Sequence, residues 1–107
     1  KVTTGQVTFA ARDSEYGGVK IKKGEILPLK NGKLTSVEKD PVKAAVKLTK
    51  SLCDHHTAFL TLIYGQDITE EQASEAKDAI QRKVGSHVDI TLVRGGQPIY
   101  YFIISVE

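Results

Sequence analysis

The sequence predicts an α+β fold, a mixed β-sheet with two helices in the order β-β-β-β-α-β-α-β-β. Three observations carry this reading. Two segments, one opening at Asp40-Pro41 and one at Thr69, place apolar residues at helical spacing behind capping signals. The second of these lies between two strand-like runs, Thr57–Tyr64 and Ser86–Val93, which makes a β-α-β unit. The chain then ends in a nearly unbroken β-branched and aromatic run, Ile99 to Val106, entered through a Gly-Gly loop. A short apolar run bounded by Gly and Pro reads as a strand buried on both faces, with the sheet closed around it.

Taken in order, Val7 to Arg12 reads as a first strand, with Val7, Phe9 and Ala11 sharing one face. Asp13 to Gly18 reads as a loop ended by Gly17-Gly18, and Val19 to Lys22 as a short edge strand protected by its lysines. Glu25–Leu29 and Lys33–Val37 flank Asn31-Gly32. Both residues of that pair tolerate positive φ, so they predict a hairpin with a type I′ turn. Pro28 lacks a ladder donor, so its strand should be an edge or carry a bulge.

Asp40 suits an N-cap and Pro41 the first helical position. Val42, Ala45, Val46, Thr49 and Leu52 then form an apolar stripe, and the helix should end near Cys53. Thr57 to Tyr64 predicts a central strand. Thr69 with Gln72 matches a capping box, with Ile68 placed to staple onto Ala73. Ala73, Ala76, Ile80 and Val84 make the second stripe, and Gly85 suits the residue past its end. Val88, Ile90 and Leu92 alternate along the next strand. No repeat, linker or low-complexity segment interrupts this order.

A length of 107 residues makes a single domain, with 40% apolar and 26% charged residues as in an ordinary globular chain. No apolar run is long enough to span a bilayer. The chain has no methionine and begins at Lys1, so it reads as a piece, residues 1–107, of a longer multidomain protein. The single Cys53 excludes an internal disulfide and fits a reducing, cytoplasmic compartment. Residues 1–50 carry eleven Lys/Arg against five Asp/Glu, and residues 51–107 four against eight. Such asymmetry can orient a protein partner. Nucleic acid fits less well, because the lysines are scattered with no interleaved aromatic platform and read as a solvated strand and helix face.

The β-α-β unit has a functional consequence. Its two strands should be parallel, so their C-terminal ends lie at one sheet edge. The loops Gly65-Gln66-Asp67 and Arg94-Gly95-Gly96-Gln97 should then be neighbours beside the second helix N-terminus, where such sheets commonly bind. Arg12-Asp13 is a further candidate. Other constellations are weak. Gly95-Gly96-Gln97 matches the tripeptide of release factors in three residues and nothing else. Cys53, Asp54, His55 and His56 would need further ligands to hold a metal. No P-loop, GxGxxG or GxSxG is present, and Glu70 and Glu71 would oppose a phosphate at the second helix.

Three long stretches, VTFAARDSEYGGVKIKKGEILPLKNGKL, FLTLIYGQDITEEQA and GGQPIYYFIISVE, together resemble the C-terminal region of the bacterial fatty acid kinase FakA family. These proteins are also described as DhaL-domain or DAK-phosphatase-like. The family pattern falls on Arg12-Asp13, Gly24-Glu25, Tyr64-Gly65-Gln66-Asp67, Gly95 to Pro98 with Tyr100, and Ser105-Val106-Glu107. The element order is also similar to the C-terminal half of DegV proteins. The resemblance implies a parent that phosphorylates fatty acids presented by a DegV-family fatty-acid-binding partner. ATP and Mg would belong to an N-terminal domain outside these residues, with no cofactor in this fragment. The implied role here is a non-catalytic module that engages the partner through Arg12, Asp13, Tyr64, Gln66, Asp67, Arg94, Gly95, Gly96 and Gln97. A homodimer through the parent is compatible with this. Two alternatives stand beside it: a lipid- or small-molecule-binding domain, or an enzyme fragment completed by other domains. For the first, Phe9, Phe59, Tyr100, Tyr101 and Phe102 are expected to fill a core rather than line a cavity.

Overall fold

The structure, a computed structural model, describes residues 2–107. Its elements are β1 (Thr3–Phe9), β2 (Ser14–Tyr16), β3 (Val19–Ile21), β4 (Ile26–Lys30), β5 (Lys33–Leu34), α1 (Pro41–Leu52), β6 (Phe59–Tyr64), α2 (Glu70–Val84), β7 (Asp89–Arg94) and β8 (Phe102–Val106). The predicted order holds, with β2 as an added short strand in the stretch that reads as loop. It pairs with β3 as a small separate hairpin.

The main sheet has six strands in the order β5-β4-β1-β8-β6-β7. β6 and β7 run parallel through the α2 crossover, and every other pair is antiparallel. Both helices are set as their caps predict. The Asp40 carboxylate accepts from the Val42 N–H at 2.9 Å, with Pro41 at the first position. Thr69 and Gln72 complete a reciprocal capping box, at 3.1 and 2.9 Å. Asn31 (φ 51°) and Gly32 (φ 82°) both take the left-handed values a type I′ turn requires. Pro28 pairs with β1 on one side, while on the other the β4–β5 ladder covers only Leu29 and Lys30. The Pro28 carbonyl accepts from the Thr35 N–H on that second side. The missing N–H therefore points past the end of β5, where no ladder asks for it.

The helices pack on each other and on one face of the sheet, α1 over β1, β4 and β8, and α2 against β7. Val7, Leu60, Leu62, Phe102 and Ile104 on that face, with Leu48, Ala76 and Ile80 from the helices, form one buried core. No described element covers the opposite face. This corrects the expectation that the last strand is buried on both faces. β8 does lie centrally, but Phe102, Ile104 and Val106 are buried while Ile103 and Ser105 are only half-buried. On the open face, register partners align Leu34, Leu29, Gln6, Ile103, Ile63 and Val93 in one row across all six strands. The adjoining row is Thr4, Ser105, Thr61 and Thr91. The aromatic residues divide accordingly. Phe102 fills the core and Phe9 and Tyr101 pack against it, but Phe59 and Tyr100 are exposed, contrary to expectation.

Two strand boundaries also shift. β8 begins at Phe102 rather than Ile99, because Ile99 takes φ 73° and cannot continue a ladder. β1 covers Thr3–Phe9 rather than Val7–Arg12, and Ala11 is exposed. The inward position ahead of Val7 is Gly5, buried beneath α1. A Cβ there would lie 2.9 Å from Leu52 Cδ1, 3.0 Å from Leu48 Cδ2 and 3.2 Å from the Leu29 carbonyl oxygen. A strand whose buried residue is glycine leaves no apolar alternation to read.

Gly5→Val should therefore lower stability by roughly 1–3 kcal/mol through overpacking, measured as a reduced urea midpoint. Thr49 presents the converse case. It is fully buried in α1, and its hydroxyl has no partner among the described residues. Thr49→Val should raise the midpoint, by about 1 kcal/mol, by removing an unsatisfied polar group without changing shape.

Candidate functional site

The antiparallel pairing of β8 with both β1 and β6, and the parallel pairing of β6 with β7, bring the C-terminal ends of β1, β6 and β7 to one edge of the sheet. Every candidate segment leaves from that edge. Gly65-Gln66-Asp67 follows β6, the Gly95–Gln97 loop follows Arg94 at the end of β7, and Arg12-Asp13 follows β1.

The first two loops are joined directly. The Gln66 N–H donates to the Gln97 carbonyl at 2.9 Å, and the Gly65 N–H to the Tyr101 carbonyl at 2.9 Å. The Tyr64 carbonyl accepts from both Gly95 and Gly96, at 2.9 and 3.1 Å. The Gln97 side-chain amide donates to the Tyr100 carbonyl at 3.1 Å. Thr8 Oγ1 donates to the Ile99 carbonyl at 2.9 Å, which ties the same loop to β1. Glycine is required at Gly65, where a Cβ would run into the Tyr100 carbonyl oxygen and lie 2.7 Å from that of Gln97. The close approach of two loop backbones leaves no volume for a side chain.

The candidates thus fall into two groups. Tyr64 is buried, Gly65 and Gly95 serve the close approach, and the Gln97 main chain and side chain hold the loop shape. Asp13 Oδ1 accepts from the Lys23 N–H at 2.8 Å, closing the base of the β2–β3 hairpin. Gln66, Asp67 and Arg94, by contrast, are exposed, as is Arg12. Residues not singled out from the sequence join them: Ile99 is 57% exposed and Tyr100 38%, and in the hairpin beyond β1, Tyr16 is 55% and Val19 50%. The sequence places Ile99 and Tyr100 in a buried strand, because composition alone cannot reveal where a terminal run leaves its ladder. The positive φ of Ile99, strained for a β-branched residue, is what turns both side chains outward.

The chemistry available here is recognition. The rim offers an arginine, a carboxylate, an amide and exposed aliphatic and aromatic surface, a composition typical of protein interfaces. Phosphates do not fit: the α2 N-terminus is closed by its capping box, with Glu70 and Glu71 in the first turn. At Cys53, burial pushes the thiol up, away from the reactive thiolate. The neighbouring Asp54 carboxylate is held below its ordinary value chiefly by the backbone N–H of His56, at 2.8 Å, so it organises the turn. No group of three or more His, Cys, Asp or Glu side chains able to hold a metal ion occurs among the described residues.

The family of FakA-like C-terminal domains, those of the fatty acid kinase FakA, matches residues 1–107. The chain belongs to this family. It is 30% identical over 107 residues to protein YloV of Bacillus subtilis, covering 100% of this chain and 19% of that protein. An uncharacterized Staphylococcus haemolyticus protein is 34% identical over 106 residues, and one from Staphylococcus aureus 31% over 106, each covering 99% of this chain and 19% of the relative. The chain thus spans about a fifth of the length of the curated relatives it matches. It is a C-terminal module of a FakA-like fatty acid kinase protein, and no helix in it is long and apolar enough to cross a membrane.

Gly65→Ala in this module should cost roughly 1–3 kcal/mol by forcing the two loops apart. Loss of the Gln66–Gln97 bond would appear as faster amide exchange at Gln66 in the same variant.

Proposed function

We propose that this module is the docking element of a fatty acid kinase, and that its sheet-edge rim engages a DegV-family fatty-acid-binding partner. The bound fatty acid would then be phosphorylated by an ATP- and magnesium-dependent domain elsewhere in the parent protein. The observation that carries this reading is the Gln66–Gln97 hydrogen bond. It fuses two loops from neighbouring parallel strands into one platform. Because that platform is held by backbone bonds, its exposed side chains are presented without a large ordering cost on binding.

Family membership supports the kinase context, and the rim supports the docking role. Arg94 and Tyr100 are the residue types that dominate interface energetics, and both are exposed where Gly95, Gly96 and Gln97 shape the loop beneath them.

Calorimetric titration of the chain with a DegV-family protein tests the proposal. Arg94→Ala and Tyr100→Ala should each weaken binding about tenfold with the unfolding midpoint unchanged, since neither side chain is buried. Failure of the unaltered chain to bind any such partner at high micromolar concentration would sink the reading.

A further inference from the structure

The lysines that look scattered along the sequence gather in the fold. α1 and α2 lie side by side on the sheet, and a groove of about 430 Å³ runs between them on the solvent side. Its lining includes Val42 and Val46, one turn apart on α1, with Ala79 of α2. Lys43, Lys47 and Lys50 stand along the α1 side, and Arg82 and Lys83 on the α2 side. Two carboxylates, Asp40 and Glu75, complete the lining. Lys47 is held by Glu38 at 3.1 Å and Asp40 by its capping bond, so Lys43, Lys50, Arg82 and Lys83 carry the positive field.

We infer that this groove receives an acidic amphipathic helix of a partner protein. The cations do not converge on a point, as they would for a small phosphate. From Lys43 to Lys50 they extend about 10 Å along α1, two helical turns. The apolar lining calls for aliphatic side chains between the acidic ones, and it lacks the aromatic platform on which nucleic acid bases stack. A recess between two helices admits a convex rod, whereas a flat bilayer surface would meet only its edges. Helix dipoles favour Lys50, Arg82 and Lys83, each in a last turn, but not Lys43 near the start of α1. Asp40 at the N-cap and Lys50 in the last turn give the groove a polarity that would orient the bound helix. This surface is separate from the rim at the sheet edge, so the two can be tested independently.

The probe is a fluorescein-labelled helical peptide of about 18 residues, with leucines in one stripe flanked by glutamates. A peptide of identical composition with the stripe scrambled is the control. The striped peptide should bind the chain saturably and shift the amide resonances of Val42, Val46 and Ala79. The scrambled peptide should bind about tenfold more weakly, and added salt should weaken both. The double variant Lys43→Glu/Lys50→Glu, at two exposed positions, should weaken the striped peptide about tenfold or more. Arg94→Ala should leave it unchanged. Equal binding of the two peptides, or absence of saturable binding, would overturn the inference. So would tighter binding of phosphatidylglycerol vesicles or a single-stranded oligonucleotide through the same lysines. The resonance mapping uses the unaltered chain, so it stands even if a variant fails to fold.

Discussion

The fold depends on β8 being inserted between β1 and β6. On one side it pairs Phe102 to Val106 with Val7 to Thr3, and on the other with Tyr64 to Leu60. Without those two ladders the chain would be a β5-β4-β1 antiparallel sheet and a separate β6-α2-β7 unit, each too small to bury a core. The eighth strand in chain order therefore joins the two halves, and its inward residues Phe102, Ile104 and Val106 lie in the core that both helices cover. Its contacts with β1 are long-range in sequence, so folding must close a loop of more than ninety residues, Val7 to Phe102, before they form.

The same joint creates the rim. β8 must start beside Val7 and Tyr64, yet the chain arrives from the end of β7 two strands away. The intervening residues cross over the end of β6, and the Gly65 and Gln66 N–H groups meet the carbonyls of Tyr101 and Gln97. Exposure of Ile99 and Tyr100 follows from that crossing. The docking platform is thus a by-product of how the sheet is closed, which explains why its shape rests on backbone bonds and on glycine at position 65.

The uncovered face has a different character from the helical one. Its aliphatic and hydroxyl rows carry little charge in a chain that is 26% charged, and Asp89 is the ionisable residue that its register places there. The charges are concentrated on the helix layer and the hairpins. That partition separates a field-bearing surface, able to steer a charged partner, from a neutral one.

Much of this was legible in the sequence because it rests on local chemistry. Asp40-Pro41, Thr69 with Gln72, and Asn31-Gly32 each fix backbone geometry within a few residues, so both helices and the hairpin turn could be read directly. The meeting of the Gln66 and Gln97 loops was also legible, since a β-α-β unit fixes which strand ends share an edge. What could not be read depends on distant packing. Gly5 hides the start of β1 because the side chain filling its inward position belongs to α1. Ile99 and Tyr100 look like core until the register of β8 places the ladder's start at Phe102. The open face, and the gathering of Lys43 and Lys50 with Arg82 and Lys83, arise only when α1 and α2 come to lie together on one side of the sheet. By itself the sequence determined the elements, their order and the family, because caps, turns and motifs act within short stretches. Tertiary structure alone decided which surfaces are left open, because burial depends on which remote segments come to lie on top.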